Sequence, residues 1–401
     1  MTPQRVGLGC PLPLVGEGRR ERGERGVRWY AALALVFACV ALLLPSSLRA
    51  GEAKRPSAVQ LEDEGALLRK LKEKGPRDIA IERGVAFLTS KQSADGSFGD
   101  RHKVAMTGLA VIAFMAAGCT PDDPRVRTTS GDQQKTLDKQ PDLRKAIEFV
   151  LLQMRREDGY LGHIDNSRMY GHGICTLMLT EAAGMTRDER LERRLVDAVR
   201  RATALILKAQ AIKKAPHHQG GWRYEPNSGD SDLSLTGWQT MSLRAARDIG
   251  IEIPADSINQ AIAYVRRMAA KDGGFGYEGP NDQRSLRGLG LLALPVCGVY
   301  DAPELVKTTQ LMFRDPPKFH GPWFFYYIYY AATGMYQMGD DAWERFYPFI
   351  DNALLPAQKP DGSWPDAPGN NEWDYGGEVY TTSMALLALS VHYHLLPIYQ
   401  R

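Results

Sequence analysis

The chain has 401 residues, 44% hydrophobic and 24% charged, with a net charge of +3. That is the balance of a globular protein long enough to bury a large core. Its basic residues are spread along predicted helices rather than clustered, so no nucleic-acid partner is expected.

The first segment stands apart. Arg19, Arg20, Arg22, Arg25 and Arg28 precede an apolar run from Trp29 to Leu44, which ends at Pro45-Ser-Ser. A basic stretch, an apolar stretch and small residues form the layout of an export signal. The run is short for a spanning helix, since a bilayer core takes about 20 apolar residues. Cleavage after Ala50 or Ala53, or an uncleaved anchor at 29–44, are the two readings. In both, the arginines hold the N-terminus inside and the rest lies outside the cytoplasm. Membrane contact is then expected only through this segment, if it is uncleaved. The expected organisation is an export signal or anchor over 1–50, a charged lead over 51–76 and one folded domain over 77–401. The cysteines beyond the signal, Cys119, Cys175 and Cys297, are far apart and odd in number, which gives no disulfide framework.

From Arg77 a cassette returns six times: an amphipathic helix, a Gly-rich break with an aromatic, and a more apolar helix. The breaks are Gln92-Ser-Ala-Asp-Gly-Ser-Phe-Gly99, Asp158-Gly-Tyr-Leu-Gly162, Gly220-Gly-Trp-Arg-Tyr224, Asp272-Gly-Gly-Phe-Gly276, a weaker His320-Gly-Pro-Trp323, and Asp361-Gly-Ser-Trp364. The predicted outer helices are Ile79–Gln92, Leu143–Arg155, Glu189–Ala211, Ala255–Ala270, Pro303–Phe313 and Asp341–Ala357. The predicted inner helices are Val104–Ala117, Met169–Ala183, Leu233–Ile249, Ser285–Val296, Trp323–Met338 and Val379–Leu396. Helices apolar nearly all round are buried on several sides. Gly118, Gly184, Gly250 and Gly298 follow inner helices where a left-handed cap is wanted. A polar, Pro-containing insertion occupies 119–140. Recurrence at roughly 40–60 residues marks an array of helical hairpins, none of which buries its apolar faces alone. With no strand-like alternation of any length, the fold class is all-α. Six hairpins suit a closed (α/α)6 toroid with the inner helices lining a central barrel.

The breaks at Gln92–Gly99 and Gln358–Trp364 resemble the Gln-Trp repeats of squalene and oxidosqualene cyclases and the repeats of protein prenyltransferase β subunits. The resemblance covers about Arg77 to the C-terminus and implies an (α/α)6 toroid with a cavity where the inner helices begin. It also implies that Gln92, Phe98, Gln358 and Trp364 are scaffold.

Residues just after the breaks gather at that mouth, which makes it the place to look for a ligand. Asp230-Ser-Asp232-Leu-Ser is similar to the Asp-x-Asp-Asp-Thr of squalene-hopene cyclases. The resemblance puts Asp232 at the position of the proton donor, beside Asp230, with Leu233 and Ser234 where the family has Asp and Thr. Read from its own position, Asp232 is the N-cap of the inner helix that starts at Leu233. Expected ligand contacts are Tyr170 and His172 from the second hairpin, Trp222, Tyr224 and Trp238 from the third, and Tyr277 and Glu278 from the fourth. Trp323 and Tyr327 from the fifth and Trp373 and Tyr380 from the sixth complete the set. Trp323-Phe-Phe-Tyr-Tyr-Ile-Tyr-Tyr330 reads either as a cavity face with π surfaces for a cation or as core packing. Prenyltransferase β subunits hold zinc with Asp-x-Cys and a distant His. Here His320-Gly-Pro322 and Tyr380-Thr381 stand at those places, so no metal or cofactor is expected.

Three functions remain open. The first is binding of an apolar or isoprenoid-like ligand in the central cavity, with acid chemistry at Asp232 as its extension. The second is a non-catalytic toroid that engages a cell-envelope protein. The third is a carbohydrate-active (α/α)6 enzyme using two carboxylates.

Overall fold

The computed structural model describes residues 74–123 and 141–399. The expected signal or anchor, all but the end of the charged lead, and most of the insertion lie outside the described residues. No helix among the described residues is long and apolar enough to cross a membrane. From Lys74 onward the chain forms one compact unit.

Among the described residues twelve α-helices run in six hairpins. They are α1 (Pro76–Ser90) and α2 (Lys103–Ala116), α3 (Leu143–Gln153) and α4 (Arg168–Met185), and α5 (Glu189–Gln210) and α6 (Leu233–Asp248). Then come α7 (Ala255–Arg267) and α8 (Arg287–Val296), α9 (Pro303–Arg314) and α10 (Phe324–Gln337), and α11 (Asp340–Leu354) and α12 (Trp373–Ser390). The described residues hold no strand, only the isolated bridges Trp222–Asp232 and Ala269–Phe275.

The even-numbered helices pack on one another in sequence, and α12 returns to α2. This closes the ring and leaves no apolar end to cap. Burial follows sequence character. Every residue of α10 and all but Lys103 of α2 is buried. An outer helix such as α5 buries one stripe, Leu191, Leu195, Val199, Ala202 and Ile206, at helical spacing. The fold is thus the all-α (α/α)6 toroid.

The repeated breaks are what hold the hairpins in register. In five of them a glycine with positive φ lies against the next outer helix. A Cβ on Gly96 would come within 2.6 Å of the Lys145 backbone, and one on Gly220 within 2.3 Å of the Gln260 carbonyl. In the sixth hairpin, a Cβ on Gly362 would meet the Arg83 carbonyl of α1 at 2.2 Å. The weaker break has nothing within 4 Å of Gly321. Glutamines then bond from hairpin to hairpin. Gln92 donates to the Asp142 carbonyl at 2.9 Å and accepts from its N–H at 2.9 Å. Gln358 donates to the Ala80 carbonyl at 2.8 Å. Gln210, set farther before its break than those two, makes the same link to the Ser257 carbonyl at 2.9 Å. Trp364 is buried and donates from its indole to the Leu354 carbonyl at 2.8 Å.

Two expectations are corrected. Gly118, Gly250 and Gly298 are left-handed after inner helices, but Gly184 lies inside α4, which continues to Met185. The last inner helix starts about six residues earlier than predicted, at Trp373, because a helical turn precedes the kink at Gly377, and ends about six residues earlier, at Ser390, where the chain tightens into a 3-10 turn. Beyond Ser390 a short 3-10 turn leads to His394 in left-handed conformation. The final turn, Pro397–Tyr399, packs on α4 and α6 and closes the barrel at the end opposite the breaks.

Candidate functional site

The inner helices begin at one mouth of the ring, and their first turns surround a cavity of 560 Å³. That lies within the range of about 300–1,000 Å³ usual for small-molecule sites. Eight aromatic side chains line it: Tyr170, Tyr224, Trp238, Tyr277, Trp323, Tyr326, Tyr375 and Tyr380. Met106, Leu109, Ile174, Leu286 and Met384 complete the apolar wall, and no carboxylate belongs to the lining. A second hollow of similar volume, 620 Å³, is a more open groove between α9 and α11 that shares no lining residue with the first.

Backbone strain concentrates at the mouth. Five non-glycine residues among those described have positive φ, and four of them line the cavity: His102, Asn166, Arg168 and Trp323. Such conformations cost about 1–3 kcal/mol each and persist where the surroundings enforce them, often at ligand sites. Here the enforcement is capping across hairpins. Asp165, from the second hairpin, accepts from Val104 N at 2.7 Å and Ala105 N at 3.3 Å at the start of α2. Its carbonyl bonds His102 Nδ1 at 2.9 Å. Asn370, Asn371 and Glu372, from the sixth hairpin, do the same for α10. Asn371 accepts from Trp323 N, Asn370 from Phe324 N, and Glu372 from Phe325 N and Tyr326 N. All four orphan donors of that helix start are satisfied by a neighbouring hairpin.

Glu372 is fully buried and lies just behind the wall. Its Oε2 accepts from Phe325 N at 2.8 Å, and its Oε1 accepts from Tyr326 N at 2.9 Å and from the Tyr380 hydroxyl at 2.6 Å. Burial pushes its carboxyl up to about 7 against these donors. On the other side of the mouth, the Tyr224 and Tyr277 hydroxyls meet at 2.6 Å. The Arg223 guanidinium lies over both rings, at 5.1 and 5.3 Å from their centres. It also pairs with Glu278, Asp230 and Asp232. Asp232 is fully buried and caps α6, with Oδ1 accepting from Leu235 N at 2.8 Å. Its Oδ2 has no hydrogen-bond partner in the protein and sits 3.5 Å from Arg223 Nη1. Burial pushes this carboxyl up to about 7 as well.

Of the residues singled out in the sequence, Tyr170, Tyr224, Trp238, Tyr277, Trp323 and Tyr380 are brought together on the cavity wall. Asp230, Asp232 and Glu278 are held by Arg223 and are not part of the lining. Three others face elsewhere. His172 is buried, its Nδ1 accepting from Leu161 N and its Nε2 bonded to the Ala202 carbonyl, and burial holds it at about 4 and therefore neutral. Trp222 is buried and its indole donates to the Ile206 carbonyl at 2.8 Å. Tyr327 points away, its hydroxyl on Met312 Sδ and Arg284 over its ring. Trp373 is the first residue of α12. The sequence did not single out Tyr375 or Glu372, noted Ser234 only where the cyclase motif has Thr, and read the aromatic run that holds Tyr326 either as a cavity face or as core packing. Within the aromatic run, the face of α10 shared by Tyr326 and Tyr330 turns inward, where their rings are 4.6 Å apart. The remaining signal was an acid directly before a helix start, Glu372 before Trp373.

No family model and no curated protein matches this chain. Solved structures do. The GH76A α-1,6-mannanase from Salegentibacter sp. HEL1_6 aligns with a TM-score of 0.56 at 10% identity, over 80% of this chain and 100% of that one. An inactive variant of the same mannanase, with two aspartates replaced and α-1,6-mannotetrose bound, aligns with a TM-score of 0.54 at 11% identity and the same coverage. At these identities the likeness is one of fold, the (α/α)6 toroid.

Proposed function

We propose that the toroid binds an apolar, isoprenoid-like ligand in its mouth cavity, as a terpenoid cyclase- or prenyltransferase-like protein. The observation that carries this is the wall itself: eight aromatic rings, apolar side chains between them and no carboxylate in contact with the space. Filling it with an apolar body removes that surface from water, worth roughly 25 cal/mol per Å² buried. Asp232 serves in this reading as the cap of α6. We further propose that residues from about Gly51 lie outside the cytoplasm, on the strength of the arginines before Trp29–Leu44.

A second reading, a carbohydrate-active toroid, is favoured by the likeness to the mannanase structures, one of which holds a manno-oligosaccharide. Aromatic rings at the mouth, such as the Trp323–Tyr375 pair with centroids 5.8 Å apart, also suit sugar stacking. Against it, glycoside hydrolysis takes two carboxylates flanking the scissile bond. The two buried acids at this mouth, Asp232 and Glu372, are both engaged as helix caps. Titration of the protein with farnesol and with α-1,6-mannotetrose, followed by tryptophan fluorescence, separates the readings. Trp238 and Trp323 lie on the wall, so saturable quenching by farnesol alone is expected. Binding of mannotetrose without farnesol would transfer the case to the carbohydrate reading. Binding of neither would count against both cavity readings.

A further inference from the structure

The wall is not uniformly apolar, and its hydroxyls are wired in a definite direction. Resting on the apolar-ligand reading, we infer that the ligand is an alcohol whose single neutral hydroxyl is received by Tyr170, Tyr326 and Tyr380.

A phenol has one proton to give and lone pairs to accept with. Tyr380 gives its proton to Glu372 Oε1 at 2.6 Å. Glu372 also takes two backbone N–H groups, so it is held as an acceptor and keeps that proton turned away from the cavity. Ser234 gives its one proton to the Tyr326 oxygen at 2.8 Å. In the 2.6 Å contact between Tyr170 and Ser234, the donor must then be Tyr170. Tyr170 and Tyr380 therefore present lone pairs to the cavity. Tyr326 already accepts from Ser234 and retains its own proton to give. The three phenols share one neighbourhood. The hydroxyls of Tyr170 and Tyr326 meet on the Ser234 oxygen, and Tyr380 lines the same cavity with its phenol in electrostatic range of both.

The patch thus offers acceptors at Tyr170 and Tyr380 and a donor at Tyr326. An alcohol hydroxyl matches it, donating one bond and accepting another. An ether or a carbonyl only accepts, which leaves the phenol lone pairs facing the ligand unmet. A hydrocarbon meets neither group and desolvates both. An ammonium gives protons but leaves that of Tyr326 without an acceptor. A carboxylate has no proton to give and leaves the lone pairs of Tyr170 and Tyr380 unmet. Sites built to bond a substrate hydroxyl reject the analogue that lacks it far more strongly than apolar pockets reject a missing methylene.

The test uses the full chain and a matched series: farnesol, farnesyl methyl ether, farnesene and farnesoic acid, measured by calorimetry or tryptophan fluorescence. Farnesol is expected to bind about tenfold or more tightly than the ether and farnesene, the value of roughly one well-made hydrogen bond. Tyr380→Phe removes one acceptor. Ser234→Ala releases the Tyr170 proton while leaving all three phenols in place, on a helix that favours alanine. Each should narrow the preference for farnesol, since one acceptor and the Tyr326 donor remain, and the double variant should erase most of it. Tyr380→Phe should also tighten farnesene, which no longer desolvates that hydroxyl. Equal binding of alcohol, ether and hydrocarbon by the parent protein overturns the inference and leaves the apolar-ligand reading standing. So does a preference that survives whole in the double variant. Failure of every member to bind overturns the reading and the inference together.

Discussion

Glu181 gives the sharpest stability test of the fold. It lies in α4, only 1% exposed, and its Oε2 accepts from Ile398 N of the C-terminal turn at 3.4 Å. Burial pushes its carboxyl from 4.5 up to about 8. At roughly 1.4 kcal/mol per unit, that rise sets a ceiling of about 5 kcal/mol on the difference between its neutral and charged forms in the fold. The sign follows from the raised value. Its contribution is fully present below about pH 4.5 and is lost as the pH rises through about 8, because the native state holds a proton there that the unfolded chain has released. Glu181→Gln keeps shape and hydrogen bond but never charges. Chemical unfolding of parent and variant at about pH 5 and about pH 9 is the assay. The two should have similar stability at the lower pH, and the variant should be more stable by about 2–5 kcal/mol at the higher one. Other titrating groups cancel in the difference. Curves that stay parallel across this range would refute the placement of Glu181 beneath the C-terminal turn.

Asp232→Asn should fold and melt close to the parent at neutral pH, since Asn caps about as well as Asp and Arg223 keeps Glu278 and Asp230. Asp232→Ala should cost about 1 kcal/mol or more through the lost cap, read in denaturant unfolding. Gln358→Ala removes the bond to the Ala80 carbonyl that joins the last hairpin to the first, and a bond to the Gly362 carbonyl within its own break. It should destabilise by about 1–3 kcal/mol, with hydrogen exchange rising first in α1. Gly288→Ala puts a Cβ 2.3 Å from the Tyr330 backbone and should cost several kcal/mol or prevent folding, seen as loss of soluble, cooperatively melting protein.

Much of this architecture was legible because it is repeated. The break Gly96 needs positive φ and contact with the next outer helix, and so do four others, so the requirement is written into the sequence each time. The inner helices showed as nearly continuous apolar runs because their whole circumference is buried. The cavity was legible only in part. Aromatics just after a break, such as Tyr224 and Tyr277, lie at the mouth by geometry alone. What escaped were groups whose role is set by a neighbouring hairpin. Glu372 caps α10 rather than its own helix, and no local pattern reports that. Tyr326 and Tyr327 are adjacent and chemically alike, and only the rotation of α10 decides which one meets the cavity. His172 looked like a site residue for its chemistry, but it answers a backbone N–H and a carbonyl inside the core.

The central claim is that the mouth cavity holds an apolar ligand. Native mass spectrometry of the purified full chain tests it most directly, first as isolated and then after addition of farnesol. A single bound farnesol per chain, diminished by Trp238→Ala in a protein that still melts cooperatively, is the predicted result. A chain that retains α-1,6-mannotetrose under the same conditions and shows no farnesol adduct would contradict it.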